Sequence, residues 1–214
     1  MGPVASCWYN PAMKTTADNR VREATLSRYV WTRAKYEQAT AGGLLGPDDH
    51  VELIGGEIVA KMTQNSPHST AVLLAEAALR AAFSAGFVVR SQMPLSIGDN
   101  SQPEPDIAVV SGSIRDFARN HPTAESAVLV VEVSDTSLAA DRSVKGSLYA
   151  LAGIQEFWII NLNDRVVEVR RLPAASDASA FGYAYAGIQV FGEDATFAPG
   201  GAPTHPIAVT DLLP

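Results

Sequence analysis

A run of β-branched and other apolar residues from Ala127 to Val133 constrains the fold of this chain more than any other feature. Polar residues bound the run on both sides, and its length and composition predict a strand in the interior of a sheet. The run nevertheless contains one carboxylate, Glu132. An ionised carboxylate inside such a strand costs several kcal/mol unless a metal ion or a cationic side chain compensates its charge. We therefore expect another part of the chain to supply that compensation.

The composition is that of one globular domain. The chain has 214 residues, of which 47% are hydrophobic and 18% are charged, and this is enough for one sizeable core. Its single cysteine, Cys7, and four scattered histidines predict neither a disulfide framework nor a zinc cluster, so a reducing, cytoplasmic setting is expected. No stretch reaches the ~18 apolar residues that would span a bilayer, so no membrane association is expected. The net charge of −7 argues against tight, sequence-independent binding to nucleic acid, but it does not exclude a local basic groove.

Patterning along the chain predicts an α/β (α+β) sandwich, in which helices flank a mixed β-sheet and an N-terminal helix and a β-hairpin are added. Residues 1–24 lack periodicity and predict a disordered arm, and residues 25–214 are expected to form a single domain. A first helix is predicted from Ser27 to the Gly42-Gly43 pair, followed by a hairpin around Gly55-Gly56. The further predictions are a helix after Pro67, one interrupted strand over 87–97, a strand over 107–110, a short helix before His121, a helix over 141–152, a hairpin of EFWIINL with RVVEVRRL, and an aromatic strand over 181–191.

Asp106 and Glu132 predict a metal site if the strands that carry them are neighbours. Asp106 follows Pro105 and opens an apolar strand, whereas Glu132 lies near the end of its own strand. Two carboxylates with a backbone carbonyl beside them are hard oxygen ligands that suit Mg²⁺. For Asp106 alone, a turn that initiates the strand is the simpler explanation. For Glu132, which is embedded between valines, the functional interpretation is favoured.

Lys145 is the cation that would compensate Glu132. It lies on the next predicted helix, and a helix that turns back over the sheet can direct its first turns at the end of the strand. Asp141 and Lys145 are also four residues apart, so an exposed ion pair on a solvated helix face explains them equally well. In that case replacing Lys145 by alanine would cost at most ~0.5 kcal/mol of stability.

Several blocks of the sequence, in order over about residues 25–172, carry a resemblance to a known family. The blocks are DDHVELIGGEIV, SPHS, PEPDIAVV, HPTAESAVLVVEVSDTSLAADRSVKGSLYALAGIQEFWIINL and VVEVRR. Together they resemble the Uma-type family of putative restriction endonucleases of cyanobacteria and actinobacteria, which belongs to the PD-(D/E)xK nuclease superfamily. The resemblance implies a restriction-endonuclease-like core. It also implies an endonuclease that hydrolyses the phosphodiester bonds of DNA with Mg²⁺, or Mn²⁺ as a substitute.

Carried over position by position, the resemblance makes Asp106 the Asp of the PD element and Glu132 the acidic residue of the (D/E)xK element. Ser134 stands where the wider superfamily has lysine, and Lys145 on the following helix is expected to replace that lysine. Asp106, Glu132 and the Val133 carbonyl would then hold the metal, while Lys145 would act on the attacking water or the phosphate. Glu52 is the candidate for a third carboxylate, and the weaker candidates are His68, Glu104 and Glu57.

Two alternatives to an active enzyme stay open at this point. The first is a nuclease-like fold without cleavage activity that serves as a nucleic-acid-binding module, which the acidic net charge favours. The second is a protein-interaction component, for example of toxin–antitoxin type, that uses the sheet as a scaffold. A homodimer is expected, because restriction-like enzymes need two active sites to cut both strands of a duplex and because the aromatic strand near residues 181–187 offers a sheet edge that is better covered.

Overall fold

The helices and strands follow one another in an order that builds one large sheet and two small ones. The structure is a computed structural model that describes residues 27–61 and 64–214, so the arm predicted for residues 1–24 lies outside the described residues. In chain order the elements are α1 (Arg33–Ala41), β1 (Val51–Ile54), β2 (Glu57–Ala60), α2 (Ser66–Ala82), β3 (Phe87–Ser91), β4 (Ile107–Ser111), β5 (Ala127–Ser134), α3 (Leu138–Ala140), α4 (Gly146–Leu151), β6 (Glu156–Asn161), β7 (Val166–Ala175), β8 (Tyr183–Gly192), β9 (Thr196–Phe197) and β10 (Ile207–Ala208).

The central sheet has six strands in the order β3-β4-β5-β6-β7-β8. The β5–β6 pair is parallel, and the other neighbouring pairs are antiparallel. An apolar layer covers each face, with α2 and the C-terminal segment on one face and the β1–β2 hairpin with α4 on the other. The alternation along β5 serves both layers, because Val131 belongs to the first and Val130 to the second. The predicted fold class, a mixed sheet flanked by helices with an added helix and hairpin, is confirmed. No helix within the described part of the chain is long and apolar enough to cross a membrane.

The first helix starts later than predicted. α1 begins after Thr32, whose side chain accepts a hydrogen bond from the Lys35 N–H and so caps the helix. Residues 27–32 are not helical, because the Trp31 N–H donates to the Gly56 carbonyl at 2.8 Å and ties this segment to the hairpin. A contact with a distant part of the chain therefore overrides the local helical pattern.

The predicted continuation of β3 over residues 93–97 is wrong. Gln92 takes a φ of 54°, and its N–H donates to the carbonyls of Pro105 and Asp106, so the chain leaves the sheet there. The following residues make only isolated bridges, including one between Ser96 and Thr123. This excursion returns at Asp106, directly before β4.

The helix predicted over residues 141–152 begins earlier and is irregular. A π-helical turn, Asp141–Lys145, lies between α3 and α4, and the Gly146 N–H donates to the Asp141 carbonyl five residues back. The helical stretch ends before Gly153, whose φ is 74°, as the sequence predicted. Such π turns occur frequently at functional sites, because they redirect the side chains that follow.

The β1–β2 hairpin has the predicted Gly55-Gly56 loop and is anchored at its tip. Gly56 has a φ of 83°, and a Cβ added there would lie 2.3 Å from Val30 Cγ1. Its N–H also donates to the Asn100 carbonyl at 2.6 Å. The hairpin is therefore clamped between the residues that precede α1 and the loop that leads to β4.

This clamp predicts that Gly56→Ala will destabilise the protein more than Gly43→Ala. Both glycines need a positive φ, which costs alanine roughly 1 kcal/mol, but a Cβ at Gly43 would meet no atom within 4 Å. The overlap at Gly56 should add about 1–3 kcal/mol. Urea unfolding of the two variants measures the difference, and equal losses would show that the hairpin tip is not tightly packed.

Candidate active site

Asp106 and Glu132 lie across from each other on neighbouring strands. β4 and β5 are antiparallel, with Ile107 opposite Val131, so Asp106, one residue before β4, faces Glu132. Both side chains line one cavity of about 470 Å³. Asp106 is fixed there because its Oδ2 accepts a hydrogen bond of 2.8 Å from the Val133 N–H. The two carboxylates predicted from the sequence therefore share one side of the sheet.

Lys145 and Tyr149 compensate the buried Glu132. Lys145 Nζ lies 3.1 Å from Glu132 Oε1 and 3.3 Å from Glu52 Oε1. The Tyr149 hydroxyl donates to the same Glu132 oxygen at 2.6 Å. Glu132 is only 3% exposed, so these partners replace the water that its charge would otherwise need.

The exposed ion pair between Asp141 and Lys145 that the sequence also permitted is not formed. Asp141 is buried, and its Oδ2 accepts hydrogen bonds from the hydroxyls of Ser134 at 2.7 Å and Ser137 at 2.5 Å. The i, i+4 pairing assumes a regular α-helix, but the π turn between these residues changes that spacing. Ser134 thus holds the start of the π turn, at the position where the wider superfamily carries lysine.

Two further acidic residues from the sequence prediction line the same cavity. Glu52 is buried in β1, and its Oε2 accepts a hydrogen bond of 2.9 Å from the Glu104 N–H. The Glu104 carboxylate pairs with Lys61 at 2.5 Å. Lys61 and Tyr149 were not predicted as site residues. Tyr149 had one available signal, since it lies four residues after Lys145 on the same helical stretch, whereas Lys61 had none beyond its place after a strand.

His68 reaches the cavity and Glu57 does not. His68 lies in the first turn of α2, where Asn65 caps its N–H, and its Nε2 is 3.2 Å from Asp106 Oδ2. Glu57 is exposed on β2 and pairs with Arg28 at 2.6 Å. The weaker candidate Glu57 is therefore placed outside the cavity.

Comparison with known proteins bears on the family and the fold of this chain. A family model described as Uma2, putative restriction endonuclease, matches residues 33–197. The chain belongs to the Uma2 family. Among solved structures it is similar to a putative nuclease belonging to DUF820 from Anabaena variabilis ATCC 29413, with a TM-score of 0.59 and 18% identity over 80% of this chain and 94% of that chain. No protein with a curated description matches.

Membership of the Uma2 family confirms the resemblance found in the sequence, and the structural likeness confirms the fold. The matched range contains all the residues that line the cavity. It ends before β10 and the C-terminal residues, which pack on the opposite face of the sheet.

The surroundings of this Uma2 cavity shift the pKa values of Glu132 and Asp106 in opposite directions. Burial raises the pKa of Glu132 to about 8; Asp106, Asp141 and Glu52 add to the increase, and Lys145 opposes it. Burial also acts to raise the pKa of Asp106, but His68 and the Val133 N–H outweigh it and hold that pKa below its ordinary value. Asp106 is therefore ionised at neutral pH, whereas Glu132 is close to its titration point.

The surroundings of Lys145 and His68 favour the charged forms of both side chains. Burial lowers the pKa of Lys145, but Glu132, Glu52 and Asp141 outweigh burial and raise it. Burial likewise lowers the pKa of His68, and its contacts with Asp106 and the Val133 backbone raise it above the ordinary value. His68 Nδ1 is buried without a hydrogen-bond partner among the described residues.

Asp106 and Glu132 each use one carboxylate oxygen to contact a cation of the cavity. The second oxygen of each carboxylate is available for a metal ion. Within the described residues, the contacts of Glu132 fall on Oε1. Asp106 Oδ1 has one distant contact, Gln92 Nε2 at 3.4 Å. In the described ranges no three His, Cys, Asp or Glu side chains converge as ligands. This donor set fits Mg²⁺, which is commonly bound by one or two carboxylates and keeps several waters, better than it fits zinc.

The raised pKa of Glu132 predicts that the metal-free protein loses stability as pH rises. Between the ordinary value of 4.5 and about 8, the folded state retains a proton that the unfolded state releases, so each increase in pH favours unfolding. Glu132→Gln cannot release this proton. Urea unfolding in EDTA should therefore show the variant gaining stability relative to the parent across this pH window, and parallel pH profiles would contradict the assignment.

Proposed function

We propose that this Uma2 protein is a metal-dependent endonuclease that hydrolyses phosphodiester bonds of DNA. The observation that carries the proposal is the convergence of Asp106, Glu132 and Lys145 in one cavity, although they come from three separate elements. A buried lysine beside two carboxylates is often no more stabilising than apolar residues of the same volume. Such a cluster therefore favours a functional role for these residues.

In this proposal Asp106, Glu132 and the Val133 carbonyl hold Mg²⁺, for which Mn²⁺ is a possible substitute. The bound ion would neutralise charge on a phosphoryl oxygen and lower the pKa of a coordinated water. Asp106 is prepared for this role because the Val133 N–H fixes one of its oxygens. Because its pKa is raised to about 8, Glu132 retains its proton near neutral pH, and binding of the cation would release that proton.

Lys145 supplies a fixed positive charge at the point where charge would develop on the phosphate. Its ammonium group is held by Glu132 and Glu52, and an ammonium has three donors, so one can be directed at the substrate. Tyr149 keeps Glu132 in position through its hydroxyl. Glu52 thereby acts as a positioning residue for the lysine in addition to its predicted role in the acidic cluster.

A nuclease fold that binds nucleic acid without cutting it is the second candidate. It is favoured by the lack of three converging metal ligands among the described residues and by the net charge of −7. The two candidates differ in one measurable property, since only the first predicts cleavage that EDTA abolishes.

The Lys145→Ala variant should cleave plasmid DNA roughly a hundredfold more slowly, on the order of the ~3 kcal/mol lost with one transition-state donor. Binding of Mn²⁺ should be retained or tightened, because the carboxylates hold the ion and a neighbouring cation is gone. Unpaired buried carboxylates should also cost the metal-free protein about 3 kcal/mol of stability. Lys35→Ala, which removes an exposed lysine of α1, is the matched control and should change none of these.

A plasmid-nicking assay beside a calorimetric Mn²⁺ titration gives these quantities. Undiminished cleavage by Lys145→Ala, in a protein that Glu132→Gln inactivates, would remove Lys145 from the site. Cleavage that persists in EDTA and in Glu132→Gln would contradict the proposed function itself.

We also propose that the protein is a homodimer assembled through β8. This strand is one of the two edge strands of the central sheet in the described structure, the other being β3, and it exposes 51% of Ile188 and 61% of Val190. The aromatic residues contribute less than the sequence predicted, because Tyr185 is buried and its hydroxyl donates to the Ile154 carbonyl. An exposed edge with apolar side chains favours pairing with a second copy.

Light scattering should therefore give about twice the 22.7 kDa monomer mass. Replacing Val190 by lysine should shift the protein to monomer, because a charge on an edge strand opposes pairing. The control is Val144→Lys, because Val144 is also exposed but lies on the π turn. It should leave the mass of the dimer unchanged. A monomer mass for the parent protein at micromolar concentration would contradict the dimer.

A further inference from the structure

A second cavity, of about 520 Å³, has a basic lining where the first is acidic. Its wall includes Arg33, Arg119 and His121, with Glu37 as the acidic residue. We propose that this cavity binds a phosphate group of the nucleic-acid backbone that flanks the bond to be cleaved. This inference rests on the proposed function and adds a substrate-binding site to it.

Arg90 adds positive charge next to the wall of this cavity. Its guanidinium group lies 5.7 Å from the ring centroid of Phe117, and Phe117 forms part of the cavity wall. Arg90 is half-buried, and its Nε has no hydrogen-bond partner among the described residues. Burial also lowers its pKa. Arg90 is not among the lining residues, so it adds positive charge near the cavity without contacting the anion.

The distribution of ion pairs leaves this region with free positive charge. Most arginines of the described structure pair with a carboxylate, whereas Arg90, Arg115 and Arg119 have none within 4.0 Å among the described residues. Of these three, Arg119 lines the cavity. Arg33 pairs with Glu37 at 3.1 Å, and its Nε donates to the Gly98 carbonyl. In a chain with a net charge of −7, an unpaired arginine in the lining of a cavity that also contains Arg33 favours an anion there. The planar donor set of arginine fits phosphate oxygens particularly well.

The basic cavity lies close to the candidate active site. Arg90 pairs with Ala108 across the β3–β4 ladder, and Ala108 is two residues beyond Asp106, which corresponds to about 7 Å along the sheet. Glu104, which lines the acidic cavity, acts to raise the pKa of His121, although burial and Arg90 lower that pKa overall. Successive nucleotides of one DNA strand advance by about 3.4 Å along the helix axis. A strand whose scissile phosphate meets Asp106 can therefore place a phosphate a few nucleotides away at the basic cavity.

The test is the salt dependence of DNA binding in an Arg119→Gln variant. Binding of a short fluorescein-labelled duplex is measured by anisotropy in a Glu132→Gln background, which keeps the DNA intact. Loss of one phosphate contact should lower the magnitude of the slope of log K against log salt by about 1 and weaken binding several-fold at low salt. The control is Arg165, an exposed residue of the β6–β7 connection that pairs with Glu193. Arg165→Gln removes the same charge and should leave the slope unchanged.

The kinetic counterpart is measured in the protein with Glu132 intact. Arg119→Gln should raise KM for DNA several-fold and leave kcat nearly unchanged, because the residue contacts a phosphate that does not react. If the protein does not cut DNA but the slope still falls with Arg119→Gln, the proposed function fails and the phosphate site stands.

A slope for Arg119→Gln equal to that of its parent and of Arg165→Gln would overturn the inference. If Arg119→Gln with that unchanged slope also binds inorganic phosphate more weakly, measured by calorimetry, the cavity belongs to a small phosphorylated molecule and not to nucleic acid.

Discussion

The contact between Glu132, Lys145 and Tyr149 is the interaction on which the rest of the structure depends. A carboxylate in the central strand of an apolar sheet is tolerated because a lysine and a tyrosine hydroxyl meet one of its oxygens. Both partners come from the helical stretch after β5, so that stretch has to cross back over the end of the strand. The π turn accompanies this geometry, and Ser134 holds its first residue, Asp141. The arrangement of the candidate site and the π turn are therefore both linked to the placement of Lys145 and Tyr149 beside Glu132.

The β1–β2 hairpin and the segment before α1 hold one residue of the same cluster, Glu52, in place. Glu52, from the β1–β2 hairpin, shares Lys145 with Glu132 and accepts a hydrogen bond from the backbone of the loop that leads to Asp106. The hairpin is in turn held at Gly56 by the segment before α1 and by the same loop. The consequence is a pair of carboxylates with different properties: the pKa of Asp106 is lowered, and the pKa of Glu132 is raised to about 8. Such a separation of pKa values is typical of functional sites.

The sequence predicts the fold class and most of the residues that lie together in the candidate site, but it does not predict the geometry between them. Alternation and turn residues predicted the central strands and the Gly55-Gly56 hairpin, since these depend on local patterns. Glu132 was detectable because a charge in an apolar run is costly. The i, i+4 interpretation of Asp141 and Lys145 was wrong, since it assumed regular helical spacing and a π turn leaves no clear pattern in sequence. The start of α1 was also misplaced, because a backbone contact with the distant hairpin determines it.

We propose that the buried acidic cluster binds a divalent cation between two strands. The most direct measurement is the anomalous difference map of a crystal soaked in Mn²⁺. The account predicts a peak between the carboxylates of Asp106 and Glu132 and within ligand distance of the Val133 carbonyl, at about 2.0–2.2 Å for a hard cation in octahedral geometry. The absence of a peak there, at a Mn²⁺ concentration that supports cleavage in solution, would contradict it.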